Sequence, residues 1–294
     1  MATPAKKTKP APSTSRALAN WDEEMAKAAA AAAKMEEGAA GGQFFSVKGG
    51  QLTFADAPIR GNQIAAIIVD HVLENVFYQG TYDPDTPQSP SCFAFGRDEK
   101  TMAPHKIVIE AGQQECGASG LCHGCERNEF GSADTGKGKA CRNTRRLALL
   151  SAGSFNEQSG KFELMDDAEE ALASASFAFL KLPVTSVKGY ASFVQQLATT
   201  MKRPPFGIIT KIKVVPDAKT QFKVVFEPLM NVPDELMPTV IKRHQEAEGV
   251  IEFPYRLDDP NEAPAPRGKV GKTPPPARQS PPARGAAPAR GRRY

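Results

Sequence analysis

The segment Cys122–Leu150, "CHGCERNEFGSADTGKGKACRNTRRLALL", puts three of the chain's five cysteines, a glycine-lysine run and three arginines directly in front of an apolar stretch. Cys122 and Cys125 form a C-x-x-C pair, a spacing that lets one tight turn present both thiolates to a single tetrahedral ion. Cys141 follows with fifteen residues between, a separation usual for the second half of a structural zinc site. A chain carrying such a site must fold so that distant segments converge on it. The fourth donor is open at this level: Cys92, Cys116, His123 and His105 are all available. Cys116 is the most local, whereas Cys92, at the start of an expected strand, would pin the loop to the body.

Two other readings of the segment fail on chemistry. A redox C-x-x-C opens a helix within a βαβ unit, and this pair is followed by "ERNEFGSADTGKGK", a loop composition. Residues 131–138, "GSADTGKG", match G-x-x-x-x-G-K. Gly138, however, stands where a phosphate loop requires a magnesium-binding Ser or Thr. What remains is charge: Lys137, Lys139, Arg142, Arg145 and Arg146 fall within ten residues that contain no acid. Lysines beside glycines in a braced loop can approach phosphates closely.

That concentration matters because the body around it is acidic. Of 294 residues, 1–16 carry four basic and no acidic side chains, and 263–294 carry eight and none. The remainder holds 25 basic against 33 acidic residues, a net charge of −8. A polyanion bound by the body must therefore meet a local patch and not a general field. Both ends are rich in Pro, Ala and Lys or Arg, and lack the apolar residues of a core. The expected organisation is a disordered basic arm with an Ala-rich helix over 1–42, a folded domain over 43–256 with a zinc-binding insertion at about 110–145, and a disordered Pro/Arg-rich tail over 257–294. No stretch approaches the roughly 18 apolar residues of a membrane span, and the N-terminal lysines precede no apolar signal region. Five cysteines without an export signal point to a reducing compartment, the cytoplasm.

Within the body the pattern is mainly that of strands. "QFFSVKGGQLTFADAPI" alternates around Gly49-Gly50, a hairpin signal. "QIAAIIVDHVLENVFYQGTYD" is a long β-branched run, "SCFAFG" and "HKIVIEA" read as short strands, and "RRLALLSAG" and "GKFELM" resume the pattern beyond the cysteines. Ser186 is the expected N-cap of a helix whose Tyr190, Phe193, Val194 and Leu197 recur at helical spacing. "FGIITKIKVVPDAKTQFKVVFEPL" reads as a hairpin and "PDELMPTVIKRHQEA" as a last helix. The expected fold is mainly β (α+β): a barrel like the oligonucleotide-binding (OB) fold, with an inserted zinc-binding loop, an internal helix and disordered basic termini.

Aromatic rings complete a single-strand site, because bases stack on exposed rings while cations track the phosphates. Tyr78 and Tyr82, in "NVFYQGTYD", are the candidate stacking residues, and Lys202, Arg203, Lys211 and Lys213 are secondary phosphate contacts. No hydrolase motif is present. Asp83 and Asp85 in "YDPDTP" are one reading of a nuclease metal pair, but a Pro/Asp turn explains them more simply. The chain is not expected to be an enzyme.

Three blocks, "IIVDHVLENVFYQGTYDPDTPQSPSCFAFG", "CHGCERNEFGSADTGKGKACRNTRRLALL" and "LKLPVTSVKGYASFVQQLATTMKRPPFGIITKI", resemble those of a family of phage and prophage replication-module proteins. That family shares a proline-flanked Cys, a C-x-x-C-x-x-N block, a G-K-G-K-A-C-x-N block and an L-P-x-T-S helix; the resemblance spans roughly residues 43–228. It implies a zinc-containing, OB-like protein that binds single-stranded DNA, or RNA, without sequence preference during phage replication and recombination in the host cytoplasm, with replication or recombination proteins as partners. It matches Cys92, Cys122, Cys125 and Cys141 to Zn2+ ligands, leaving Cys116 as the alternative fourth. Such proteins commonly end in an acidic tail, whereas this chain ends in "PARGAAPARGRRY". The competing expectation is a zinc-stabilised interaction module that docks on a host polymerase or recombinase.

Overall fold

Fifteen residues, Gln63–Phe77, form the strand on which the rest is assembled. The structure is a computed structural model; it describes residue 25 and residues 44–55, 57–79, 89–134, 136–255 and 257. The expectations for the two termini, for Tyr82 and for Asp83 and Asp85 lie outside the described residues. In chain order the elements are β1 (Phe44–Lys48), β2 (Gln51–Phe54), β3 (Ala57–Pro58), β4 (Gln63–Phe77), β5 (Cys92–Gly96), α1 (Lys106–Glu110), β6 (Arg142–Phe155) and β7 (Phe162–Leu164). They continue with α2 (Ala168–Ser174), β8 (Ala178–Lys181), α3 (Val184–Gln196), β9 (Ile208–Asp217), β10 (Gln221–Asn231) and α4 (Met237–Val250).

β4 is covered on both faces, which its near-continuous apolar sequence requires. Its first third pairs with β9, nearly all of it with β6, and its last five residues with β5, all antiparallel. The full order is β10-β9-β4-β6-β8-β1-β2-β3, with β5 on β4 and β7 on β6. Because β1 runs parallel to β8, the sheet is mixed. Gly49 and Gly50, at φ 57° and 80°, form the expected two-residue turn between Lys48 and Gln51, where both central positions need positive φ. Asp217 closes the β9–β10 turn, its carboxylate accepting from the Thr220 and Lys219 amides.

Two cores flank the sheet. One face carries α2, α4 and the chain after α4 over Ile67, Val72, Val76, Phe93, Ala148 and Leu150. The other carries α3, whose Tyr190, Phe193 and Leu197 cover Ile68, Leu147, Leu149 and Leu180. The helical spacing read from sequence is thus the packed face of α3. Ser186 is not its cap: the helix starts at Val184, and the buried Ser186 hydroxyl accepts from the Val224 amide at 2.9 Å, tying α3 to β10. "HKIVIEA" is also corrected. It is the short helix α1, started by the His105 ring, whose Nδ1 accepts from the Ile107 amide at 3.3 Å. An apolar run of this length fits either state on periodicity alone.

The expected closed barrel is an open sheet of ten strands, since no ladder joins β10 to β3. It is strongly curled all the same. Leu52 on β2 shares a core with Val214 and Val224 on β9 and β10. Asn62 fastens the approach, its side-chain amide donating to the Gly50 carbonyl at 2.7 Å and the Val214 carbonyl at 3.4 Å while its Oδ1 accepts from the Leu52 amide. Side chains and apolar packing hold the two ends together, and backbone pairing does not. No helix among the described residues is long and apolar enough to cross a membrane.

Candidate metal centre and nucleic-acid interface

All five cysteines line one cavity of about 10 Å³, the space of a single water-sized sphere. Cys92 enters from the first position of β5, opposite Phe77. Cys116, Cys122 and Cys125 come from the loop after α1, and Cys141 from the residue before β6. All are free thiols, buried except for the half-exposed Cys141.

The C-x-x-C turn is built by backbone bonding. The Cys122 amide donates to the Met102 carbonyl at 2.8 Å, and the Cys125 amide to the Cys122 carbonyl at 3.4 Å. Gly124, at φ 79°, supplies the left-handed step that lets the turn close. Asn128 clamps it: its side-chain amide donates to the Cys122 carbonyl at 2.9 Å, and its own backbone amide to the Cys125 carbonyl at 2.8 Å. The Cys141 amide donates to the Arg127 carbonyl at 2.7 Å, bringing the far end of the loop back to the turn. The asparagine of C-x-x-C-x-x-N is therefore a structural clamp.

Four of the thiols are perturbed in the same direction. Burial is the first cause for each of these and raises its pKa; it pushes Cys92 and Cys116 up, Cys122 to about 11 and Cys141 to about 12. Neighbouring thiols add to this. Cys116 hydrogen-bonds with Cys122 and Cys125 and packs with them, while Cys92 and Cys141 border the same cavity. Several groups favour a negative sulfur: the Glu115 backbone against Cys92, and the Asn75 side chain against Cys122. Asn75 Nδ2 is buried without a well-formed hydrogen bond, and a thiolate at Cys122 would supply its acceptor. Among the described residues no three His, Cys, Asp or Glu donors stand in a formed ion shell. The donor chemistry, the ion-sized space and the orphaned Asn75 amide nevertheless fit a thiophilic divalent cation such as Zn2+. His123 is exposed and His105 is stacked on Phe93 at 5.1 Å; neither borders the cavity.

In and around the cavity wall, cations sit over aromatic rings. Arg127 lies over Phe77 at 5.1 Å, Lys139 over Phe130 at 5.1 Å and Arg142 over Tyr78 at 5.4 Å. Lys137 and Arg142 are exposed, while Lys139 is half-buried and donates to Asn128 Oδ1 at 3.3 Å. Arg127 also bonds Glu115 at 3.1 Å. Tyr78 is half-buried against the core. Of the secondary cations, Lys211 is ion-paired with Glu227. Arg145 turns to the α3 side of the sheet, lining a separate pocket.

Arg146 is withdrawn as a phosphate contact. Its side chain is 1 % exposed and bonds Glu74 at 2.8 Å. It donates to the Ile251 and Phe253 carbonyls and lies between the rings of Phe95 and Phe253. No strand of nucleic acid reaches it. The sequence reading missed Phe130, 81 % exposed at the tip of the loop, and Arg127. Their signal was available: an isolated ring inside a segment with no apolar periodicity has no core to join. No family model, curated protein or solved structure matches this chain.

Proposed function

We propose that the chain is a zinc-containing protein that binds single-stranded DNA without sequence preference, acting in phage replication and recombination. One observation carries this reading: five thiols drawn from a core strand and a loop line one ion-sized cavity, and the same loop and the start of β6 bear Lys137, Lys139, Arg127, Arg142 and the exposed Phe130. Bound zinc would supply rigidity. Cys92, Cys122 and Cys125 would hold it, with Cys141 as the fourth ligand and Cys116 as the alternative. The cations then track phosphates while Phe130 and Tyr78 offer ring faces to bases. The curled sheet stands in for the OB-like platform without its closing ladder.

Fluorescence-anisotropy titration with single- and double-stranded oligonucleotides, alongside metal analysis, tests the proposal. Tight single-strand binding with one zinc per chain is expected; equal affinity for both forms sinks it. The exposed Phe130 and Leu121 also favour a second reading, docking of the loop on a replication or recombination protein. In that case removing residues 1–16 and 263–294 would abolish nucleic-acid binding altogether.

A further inference from the structure

A second pocket, of about 330 Å³, lies farther along β4 and β6 from the cysteine cavity. It is lined by His71, Leu73, Arg97, Arg145, Tyr190 and Gln195, among others. Leu73, in its wall, also packs against the small cluster that holds Cys116, Cys122 and Cys125. Register explains the adjacency. Asn75 opposes Asn143, Leu73 opposes Arg145, and His71 opposes Leu147, so the pocket follows the cysteine cavity along β4 and β6.

The pocket wall holds an unanswered donor. The Tyr190 hydroxyl is buried and without a hydrogen-bond partner, and the residue is 2 % exposed. An orphaned buried hydroxyl costs stability. The phenol is one atom larger than a phenylalanine that would fill the same core position, where it packs on Phe226 at 5.0 Å and on His71 at 5.4 Å. Arg145 is the second unspent donor. Among the described residues its guanidinium donates to the Thr144 carbonyl at 2.9 Å, and no carboxylate is ion-paired with it. Two acids stand near: Asp70, whose carboxylate Arg97 takes up through two bonds of 2.9 and 2.7 Å, and Glu99, which acts on Arg145 by charge without an ion pair.

We propose that this pocket is a phosphate-binding subsite in which the Arg145 guanidinium and the Tyr190 hydroxyl donate to one phosphoryl group. A forked guanidinium and a hydroxyl match phosphoryl oxygens, and the volume admits a nucleotide. The phosphate has two possible sources: a strand running on from the cysteine loop, or a free phosphorylated small molecule. The strand source rests on the single-strand reading above, and the free source does not.

The test uses the full chain, its Tyr190→Phe variant and its Arg145→Gln variant. Thermal melting is followed in inorganic phosphate and in thymidine monophosphate against chloride at equal ionic strength, and binding of a thymidine oligonucleotide by anisotropy. Tyr190→Phe removes only the orphaned hydroxyl, so without ligand it should melt at or above the wild-type temperature. The wild type should be stabilised by phosphate or the mononucleotide, and both variants should bind about tenfold more weakly. Loss of mononucleotide stabilisation with unchanged oligonucleotide affinity assigns a free ligand; about tenfold weaker oligonucleotide binding assigns the strand. If the wild type binds no oligonucleotide, the single-strand reading fails while the phosphate melts still decide the subsite. The proposal is overturned if phosphate gives no specific stabilisation and neither variant weakens oligonucleotide binding, or if both variants respond as the wild type does.

Discussion

Arg145 and Arg146 are neighbours on β6, and the pleat of the strand sends them to opposite faces. Arg145 reaches a pocket; Arg146 is sealed against Glu74, which is fully buried and also pairs with Lys181 at 2.8 Å and accepts from the Tyr255 hydroxyl. Replacing one partner of a buried pair strands the other charge. Arg146→Met should therefore cost about 3 kcal/mol in urea unfolding, the low end of the usual range because Lys181 remains, and the folded variant should keep its affinity for single strands. Burial by itself would raise the Glu74 pKa, but the Lys181 ammonium and the Arg146 guanidinium outweigh it and hold the carboxyl below its ordinary 4.5. A depressed carboxylate stabilises the fold above its unfolded pKa and loses that contribution as pH falls through the folded value. Wild-type stability should thus decline below about pH 4.5, and Glu74→Gln should flatten that acid limb in pH-resolved melts. The different fates of the two arginines were hidden in the sequence. "RRLALLSAG" is apolar on both faces beyond residue 146, so no alternation marks which arginine turns inward.

The cysteine loop is an element with little regular structure, held by the Cys122 turn, the Asn128 clamp and whatever the thiols grip. The pairing of Cys122 with Cys125 in one turn was legible because their spacing is local, and Cys92 was expected to join them from the resemblance. That Cys92 and Cys116 border the same cavity at once depends on β5 pairing with β4 and on the path of the chain after α1. The structure also moves the question of the fourth ligand. All five thiols border one cavity, and under the proposed function Cys116 and Cys141 are the two candidates for the place beside Cys92, Cys122 and Cys125. Single Cys116→Ser and Cys141→Ser variants should separate them. The true ligand's loss should drop zinc content well below one per chain and weaken single-strand binding, while the other variant keeps both. Chelation should raise amide hydrogen exchange in the loop and leave β4 and β6 protected, since Cys92 is the one cysteine among the buried residues of the two flanking cores. Phe130→Ala probes the loop tip. Removing a stacked ring costs about 1–3 kcal/mol of single-strand affinity, whereas a side chain 81 % exposed contributes little to folding. The melting curve should therefore be unchanged while anisotropy titrations show the loss.

At the scale of the molecule, most strands and both longer helices were readable from period and turn chemistry, but the short β8, the helix α1 and the closure of the sheet were not. Whether β2 meets β9 through a ladder or through Asn62 and Leu52 is settled by side chains far apart in sequence. Charge, in contrast, was legible at this scale from the start: twelve basic and no acidic side chains in residues 1–16 and 263–294, against a net −8 between them. Two binding contributions follow, and they separate by salt. Cations at the two ends add phosphate contacts that need no particular nucleic-acid geometry, each steepening log K against log salt by about 0.7 on single strands. The loop cations and rings add a preference for unpaired bases. Removing both ends should lower affinity and make the salt slope shallower, while the preference for single over double strands survives. If the slope and the preference vanish together, the body contributes nothing, and the loop's exposed Phe130 belongs to a protein partner. A shallower slope with the preference intact would place base recognition on the acidic body, where only a patch held against the sheet by the cysteines can overcome the surrounding charge.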